Sequence, residues 1–163
     1  MKAELRALLD SLGPEEEAVA VFLLRALQRS RGSPPASMGL VGELTGATLA
    51  TEEPGRVVYR LEAHPHLHNP YGVLAGPVLY TVMDYSMGRA LRTLAAQGEL
   101  AATVEMKVNY LRPVRAGTVT VETQVLHQGS ALAVLESRAR SQEGALVALA
   151  VGTYRLFPAA AAT

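Results

Sequence analysis

The chain reads as an α+β fold, a curved antiparallel β-sheet wrapped around one long central helix. Three features predict it. Residues 78 to about 96 form an apolar segment too long for a strand and of helical length. Four shorter segments follow, separated by turn residues, and two of them alternate with a period of two. Strand-like sequence also precedes the helix. From 77 to 88 the only charged residue is Asp84, and a helix apolar nearly all round must be covered on nearly all sides. Charge returns at Arg89 and Arg92, where the helix should emerge.

Residues 1–37 read as a helical extension with a linker. Leu5, Leu8, Leu9 and Leu12 have helical spacing, and Gly13-Pro14 interrupts them. Pro14 suits the first turn of a second helix. Glu15, Glu16 and Glu17 at its start and Arg25, Arg29 and Arg31 at its end complement the helix dipole. Residues 30–37, rich in Gly, Ser and Pro, form the linker. This extension either packs on the main domain or docks a partner.

The main domain is expected over 38–157. A first strand is expected within 39–50, and Val57-Val58-Tyr59-Arg60-Leu61 forms another after the turn signal Glu53-Pro54-Gly55. Asn69-Pro70-Tyr71-Gly72 is a loop by composition. After the helix, residues 103–111 place Val104, Met106, Val108 and Tyr110 on one face and Glu105, Lys107 and Asn109 on the other. Residues 118–127, 131–140 and 145–157 complete four strands read as a meander, and 158–163 read as a frayed tail.

Composition narrows the function. With 163 residues, 49% of them hydrophobic, the chain suits one domain with a real core. Fifteen basic and fifteen acidic residues leave no net charge, so no global basic field exists to hold nucleic acid or an anionic membrane. The absence of Cys excludes disulfides, a thiol nucleophile and thiolate metal sites. The apolar run 18–24 follows three glutamates, the wrong flank for a signal peptide, and is too short to span a membrane. A cytoplasmic location is the expectation.

Asp84 is the most informative residue. A carboxylate on a buried helix is costly unless paired or used, and Asp84 lies too far from the helix start to gain from the dipole. It could pair with a buried Arg, bond to hydroxyls such as Thr81 or Ser86, face an exposed stripe, or act in chemistry. Pro77 fits a first helical position, which leaves the Gly76 N–H at the helix mouth, able to meet an anion or a polarised carbonyl. His64-Pro65-His66-Leu67-His68 alternates, but Pro65 disfavours a strand and no Cys or carboxylate stands at a supporting interval. It reads as a polar loop, with no metal site expected.

The run His68-Asn69-Pro70-Tyr71-Gly72-Val73-Leu74-Ala75-Gly76-Pro77, leading on to Asp84, resembles the signature of the PaaI-type hotdog acyl-CoA thioesterases. That signature is Asn, a Gly three residues later, His-Gly-Gly, then an acid on the central helix. Asn109-Tyr110-Leu111-Arg112-Pro113 resembles the same family's strand and turn. The likeness covers about 38–157. It implies a hotdog fold, with Asp84 as the catalytic acid, Gly76 as the Gly whose N–H polarises the thioester carbonyl, Asn69 as the site-orienting Asn and Thr103 as a hydroxyl facing the carboxylate. Two positions depart from it: the motif His is Ala75, which removes a polar group beside the reacting centre, and the second motif Gly is Pro77.

The resemblance implies hydrolysis of acyl-CoA to free acid and coenzyme A, with no cofactor beyond the coenzyme A of the substrate. Arg112, Arg115 and Lys107 are candidates to meet its phosphates. Gly76 and Asp84 are eight residues apart, about 12 Å along one helix, so one carbonyl cannot touch both. The family's arrangement, a homodimer with composite sites or a dimer of such dimers, resolves this. The alternative, supported by Ala75, is a non-catalytic module that binds acyl-CoA as sensor or carrier.

Overall fold

The computed structural model describes residues 1–32, 38–96 and 98–158. Parts of the expected linker (33–37) and tail (159–163) lie outside the described residues. The chain divides into two compact units, Met1–Gly46 and Ala47–Thr163; the boundary read from the sequence at 37/38 lies within the first. Among the described residues no helix is long and apolar enough to cross a membrane.

The first unit holds α1 (Lys2–Asp10), α2 (Pro14–Arg29) and α3 (Gly39–Glu43). The Glu16 carboxylate accepts the Gly13 N–H at 2.9 Å, satisfying a donor at the start of α2. The short helix α3 corrects the expectation of a strand over 39–50, of which only 48–50 are strand. Glu43 is only 6% exposed, and its carboxylate accepts Arg29 Nε at 2.7 Å and the Met38 N–H at 3.2 Å. Those charge-assisted bonds bend the chain into a helical turn despite the apolar, strand-like Leu40 and Val41.

The second unit is a six-stranded antiparallel sheet around one helix. Its elements are β1 (Thr48–Glu53), β2 (Arg56–Glu62), α4 (Gly76–Arg92), β3 (Glu99–Tyr110), β4 (Thr118–Gln128), β5 (Leu132–Arg140) and β6 (Leu146–Pro158). The order across the sheet is β1-β2-β4-β5-β6-β3. The last four strands are therefore not one meander. β4 is occupied on one side by β2 and on the other by β5, so β3 takes the free edge of β6. Residues 111–117 make that crossing, where a hairpin would need a shorter loop.

Helix α4 buries Leu79, Val82, Met83, Met87, Ala90 and Leu91. The sheet offers it rows of inward residues in register: Tyr59, Val121, Ala139 and Ala148 make one row, and Val57, Thr123, Ser137 and Ala150 the next. Small residues on β5 and β6 let the helix approach closely. Gly152 marks the limit, since a Cβ there would lie 2.9 Å from Met87 Sδ. The helix stops at Arg92 rather than near Ala96: Thr93 turns its hydroxyl back to the Ala90 carbonyl at 2.7 Å, and its Oγ1 accepts the Gly55 N–H at 2.7 Å.

One polar line crosses this core. The Ser86 hydroxyl donates to the Met83 carbonyl at 2.8 Å and lies 2.6 Å from Thr123 Oγ1, which lies 2.8 Å from Ser137 Oγ. All three side chains are fully buried, and each has a partner, as a buried hydroxyl requires. The line ties α4 to β4 and β5 two residues beyond Asp84. Thr123→Val keeps the shape and breaks the line, leaving Ser137 short of a partner. It should lower unfolding free energy by about 1–3 kcal/mol in urea denaturation; an unchanged midpoint would show that the line carries no stability.

Candidate active site

Asp84 projects from the middle of α4 and is partly exposed. Its Oδ1 accepts the Thr103 hydroxyl at 2.7 Å and the Tyr154 hydroxyl at 2.6 Å. Of the readings open in the sequence, hydroxyl bonding holds, but the hydroxyls come from the sheet rather than from Thr81 or Ser86. Thr81 donates to the Pro77 carbonyl and Ser86 to the Met83 carbonyl. Thr103 and Tyr154 are directly opposite each other on β3 and β6, so one cross-strand pair delivers both donors.

A β-bulge makes this possible. Thr103 pairs with Tyr154 and Glu105 with Thr153, which leaves Val104 as an extra residue. In a regular strand, residues 103 and 110 would face opposite sides. With the bulge between them, both face α4: Thr103 reaches Asp84, and the Tyr110 hydroxyl donates to the Gly76 carbonyl at 3.0 Å. Val104, expected on the face of Met106 and Val108, is instead 58% exposed.

Gly76 opens α4 after Ala75, with Pro77 next to it. Its N–H has no acceptor among the described residues, as expected for the first turn of a helix. A Cβ at 76 would lie 3.1 Å from Tyr110 Cζ, so the close ring is one reason for Gly here. Asn69 holds the preceding loop: its Oδ1 accepts the Tyr71 N–H at 2.9 Å and the Val73 N–H at 3.5 Å. Asn69, Gly76, Leu79, Tyr110 and Arg112 share the wall of a cavity of about 360 Å³.

The structure thus sorts the expected residues into two groups. Asp84 and Thr103 meet near the middle of α4, and Gly76 and Asn69 meet at its start. The two groups are about 12 Å apart along the helix axis. Arg112 lies at the Gly76 end, donating to the Leu146 carbonyl at 2.7 Å, and Arg115 reaches toward the carbonyls of Tyr71 and Gly72 at 3.5 and 3.4 Å. Lys107, three residues before Tyr110 on a regular stretch of β3, points to the other side of the sheet and does not join them. Sequence reasoning missed Tyr154 and the role of Tyr110. Tyr154 ended the inward row of small β6 residues, Ala148, Ala150 and Gly152, and that break in size was the available signal.

Burial, then the bond to Asp84, pushes the Tyr154 phenol well above its ordinary value, so it stays a donor. Of the histidines, His64 and His66 stack with ring centroids 5.2 Å apart. Burial, then the neighbouring His64 and His68, lowers the His66 pKa. Among the described residues no group of three or more His, Cys, Asp or Glu is arranged to hold a metal ion.

Residues 71–148 match the family model of the thioesterase superfamily. Two proteins of Saccharolobus solfataricus named "Putative esterase" are 35% identical over 86 residues and 31% over 102; the matches cover 53% and 63% of this chain and 57% and 72% of those proteins. The chain belongs to the thioesterase superfamily. A 1,4-dihydroxy-2-naphthoyl-CoA hydrolase of Listeria monocytogenes is 28% identical over 99 residues, 61% of this chain and 80% of that protein. A conserved protein of Pseudomonas aeruginosa superposes with a TM-score of 0.68 at 33% identity, covering 72% of this chain and 93% of that one. The fold is the hotdog fold. The matched segment stops short of two thirds of the first esterase's length.

The Asn69 loop gives a check on the Gly76 end. Asn69→Ala removes the acceptor for two loop amides, so amide exchange at Tyr71 and Val73 should accelerate by about tenfold, with global stability lowered by less than about 1.5 kcal/mol. Unchanged exchange, read by NMR, would mean that the side chain does not hold the loop.

Proposed function

We propose that the protein hydrolyses acyl-CoA thioesters to the free acid and coenzyme A, in composite sites built by two copies of the chain. The observation that carries this reading is the division of the site along α4. One end offers a helix-mouth N–H at Gly76, suited to a developing oxyanion. The other offers the Asp84 carboxylate, held by two hydroxyls. If two such helices lie side by side in a homodimer or a dimer of dimers, Gly76 of one copy faces Asp84 of the other. Asp84 then either activates water or attacks the carbonyl, and Thr103 orients it. Asn69 shapes the loop that presents Gly76. Arg112 and Arg115, at the Gly76 end, are placed to meet coenzyme A phosphates, whereas Lys107 would need a substrate reaching the outer face. The membership in the thioesterase superfamily and the CoA hydrolase among the relatives support this substrate class.

Ala75 favours a second reading, binding without turnover, because the motif His is missing beside the reacting centre. A panel of acyl-CoA thioesters, followed by thiol release, separates the two. Turnover is expected, with bulky and aromatic acyl groups outrunning acetyl. Asp84→Asn should cut kcat by about 100-fold or more while the melting temperature stays level or rises. Thermal stabilisation by acyl-CoA with no turnover selects the binding reading, and full activity in Asp84→Asn removes Asp84 from the chemistry.

A further inference from the structure

We propose that Tyr154 is a positioning residue of this site: with Thr103 it holds Oδ1 of Asp84 and so selects Oδ2 as the oxygen presented to water or the thioester. The inference rests on the thioesterase reading above and adds a residue to it. Tyr154 is 1% exposed, and its hydroxyl reaches both Oδ1 of Asp84, at 2.6 Å, and the main-chain carbonyl of the same residue, at 3.0 Å. A buried tyrosine needs a partner for its hydroxyl, and the carbonyl alone would have served. The shorter bond goes to the carboxylate, to the oxygen that Thr103 already occupies at 2.7 Å. Among the described residues no donor reaches Oδ2. One oxygen is anchored twice and the other is left open.

Two bonds to one oxygen fix the carboxylate plane, which a group on a helix could otherwise rotate. A reacting group already in orientation lowers the entropic part of the barrier. Burial and the Asp84 bond keep the Tyr154 proton in place, so it orients and does not itself exchange a proton with substrate. The bulge at Val104 is what allows Thr103 to join Tyr154 on this oxygen.

Tyr154→Phe keeps the ring and removes the hydroxyl. With an active wild type, kcat should fall about tenfold or more while KM stays within about twofold. A parallel reading needs no turnover. The chain has only two aspartates, Asp10 and Asp84, so 13Cγ-aspartate labelling gives two resonances, assigned with Asp84→Asn. The Asp84 resonance should shift in Tyr154→Phe while that of Asp10 stays put. If wild-type protein turns over no thioester, the thioesterase reading fails, and the Asp84 resonance alone decides whether Tyr154 holds the carboxylate. Should Tyr154→Phe not fold, a ring-fluorinated tyrosine at 154, a stronger donor of nearly the same shape, should move the Asp84 resonance the other way. A folded variant with kcat and the Asp84 resonance both unmoved overturns the proposal.

Discussion

A continuous hydrogen-bonded helix fixes the distance between the residues it carries, and α4 carries both Gly76 and Asp84. Eight residues at the α-helical rise separate them by about 12 Å, while a hydrogen bond to a carbonyl spans about 3 Å. No residue between them interrupts the helix, which runs unbroken from Gly76 to Arg92. The sheet reinforces this rigidity by burying α4 against its inward rows and by the Ser86, Thr123 and Ser137 hydroxyls. Neither group can move toward the other without breaking the core. On the proposed reading, the site of one chain is therefore two half-sites, each completed locally by β3 and the strand or loop beside it.

The second determinant is the bulge at Val104. Strand β3 has to serve both half-sites, Thr103 at Asp84 and Tyr110 at Gly76, and these residues differ by an odd number of positions. A regular strand could send only one of them to the helix. The extra residue resets the alternation, and Val104, which has no place in the ladder, is exposed. An irregularity in pairing thus does the work of aiming a functional side chain, and the strand at the sheet's edge is where it disturbs packing least.

Much of this was legible in the sequence, for physical reasons that differ between elements. The helix showed because an apolar segment with one carboxylate has few structural outcomes, and Asp84 stood out by the cost of burying it. The strand positions showed through β-rich composition in β2, through alternation in β3 and β4, and through the bounding turn residues in β5 and β6. Their order did not, because alternation records which face a residue takes and not which neighbour it meets; β3 looked like the partner of β4 and pairs with β6. Residues 39–43 were misread because the bond from Arg29 to Glu43 is a tertiary contact that Leu40 and Val41 do not announce. Thr103 came from a family likeness and Tyr154 from neither likeness nor pattern. The bulge that joins them is invisible in composition, since Val104 is as good a strand residue as any.

The composite site is the claim on which the functional reading turns, and mixing two lesions tests it most directly. Asp84→Asn removes the carboxylate and Gly76→Pro removes the helix-mouth donor, so each homodimer lacks one of the two groups in both of its sites. The variants should first be shown to be folded by circular dichroism, then co-refolded in equal amounts, with mixed dimers confirmed by native mass spectrometry. Half of randomly formed dimers are mixed, and each holds one site with both lesions and one with neither, so activity should return to roughly a quarter of wild type. No recovery from folded, confirmed heterodimers would mean that the site is built within one chain, and that the separation along α4 does not divide it.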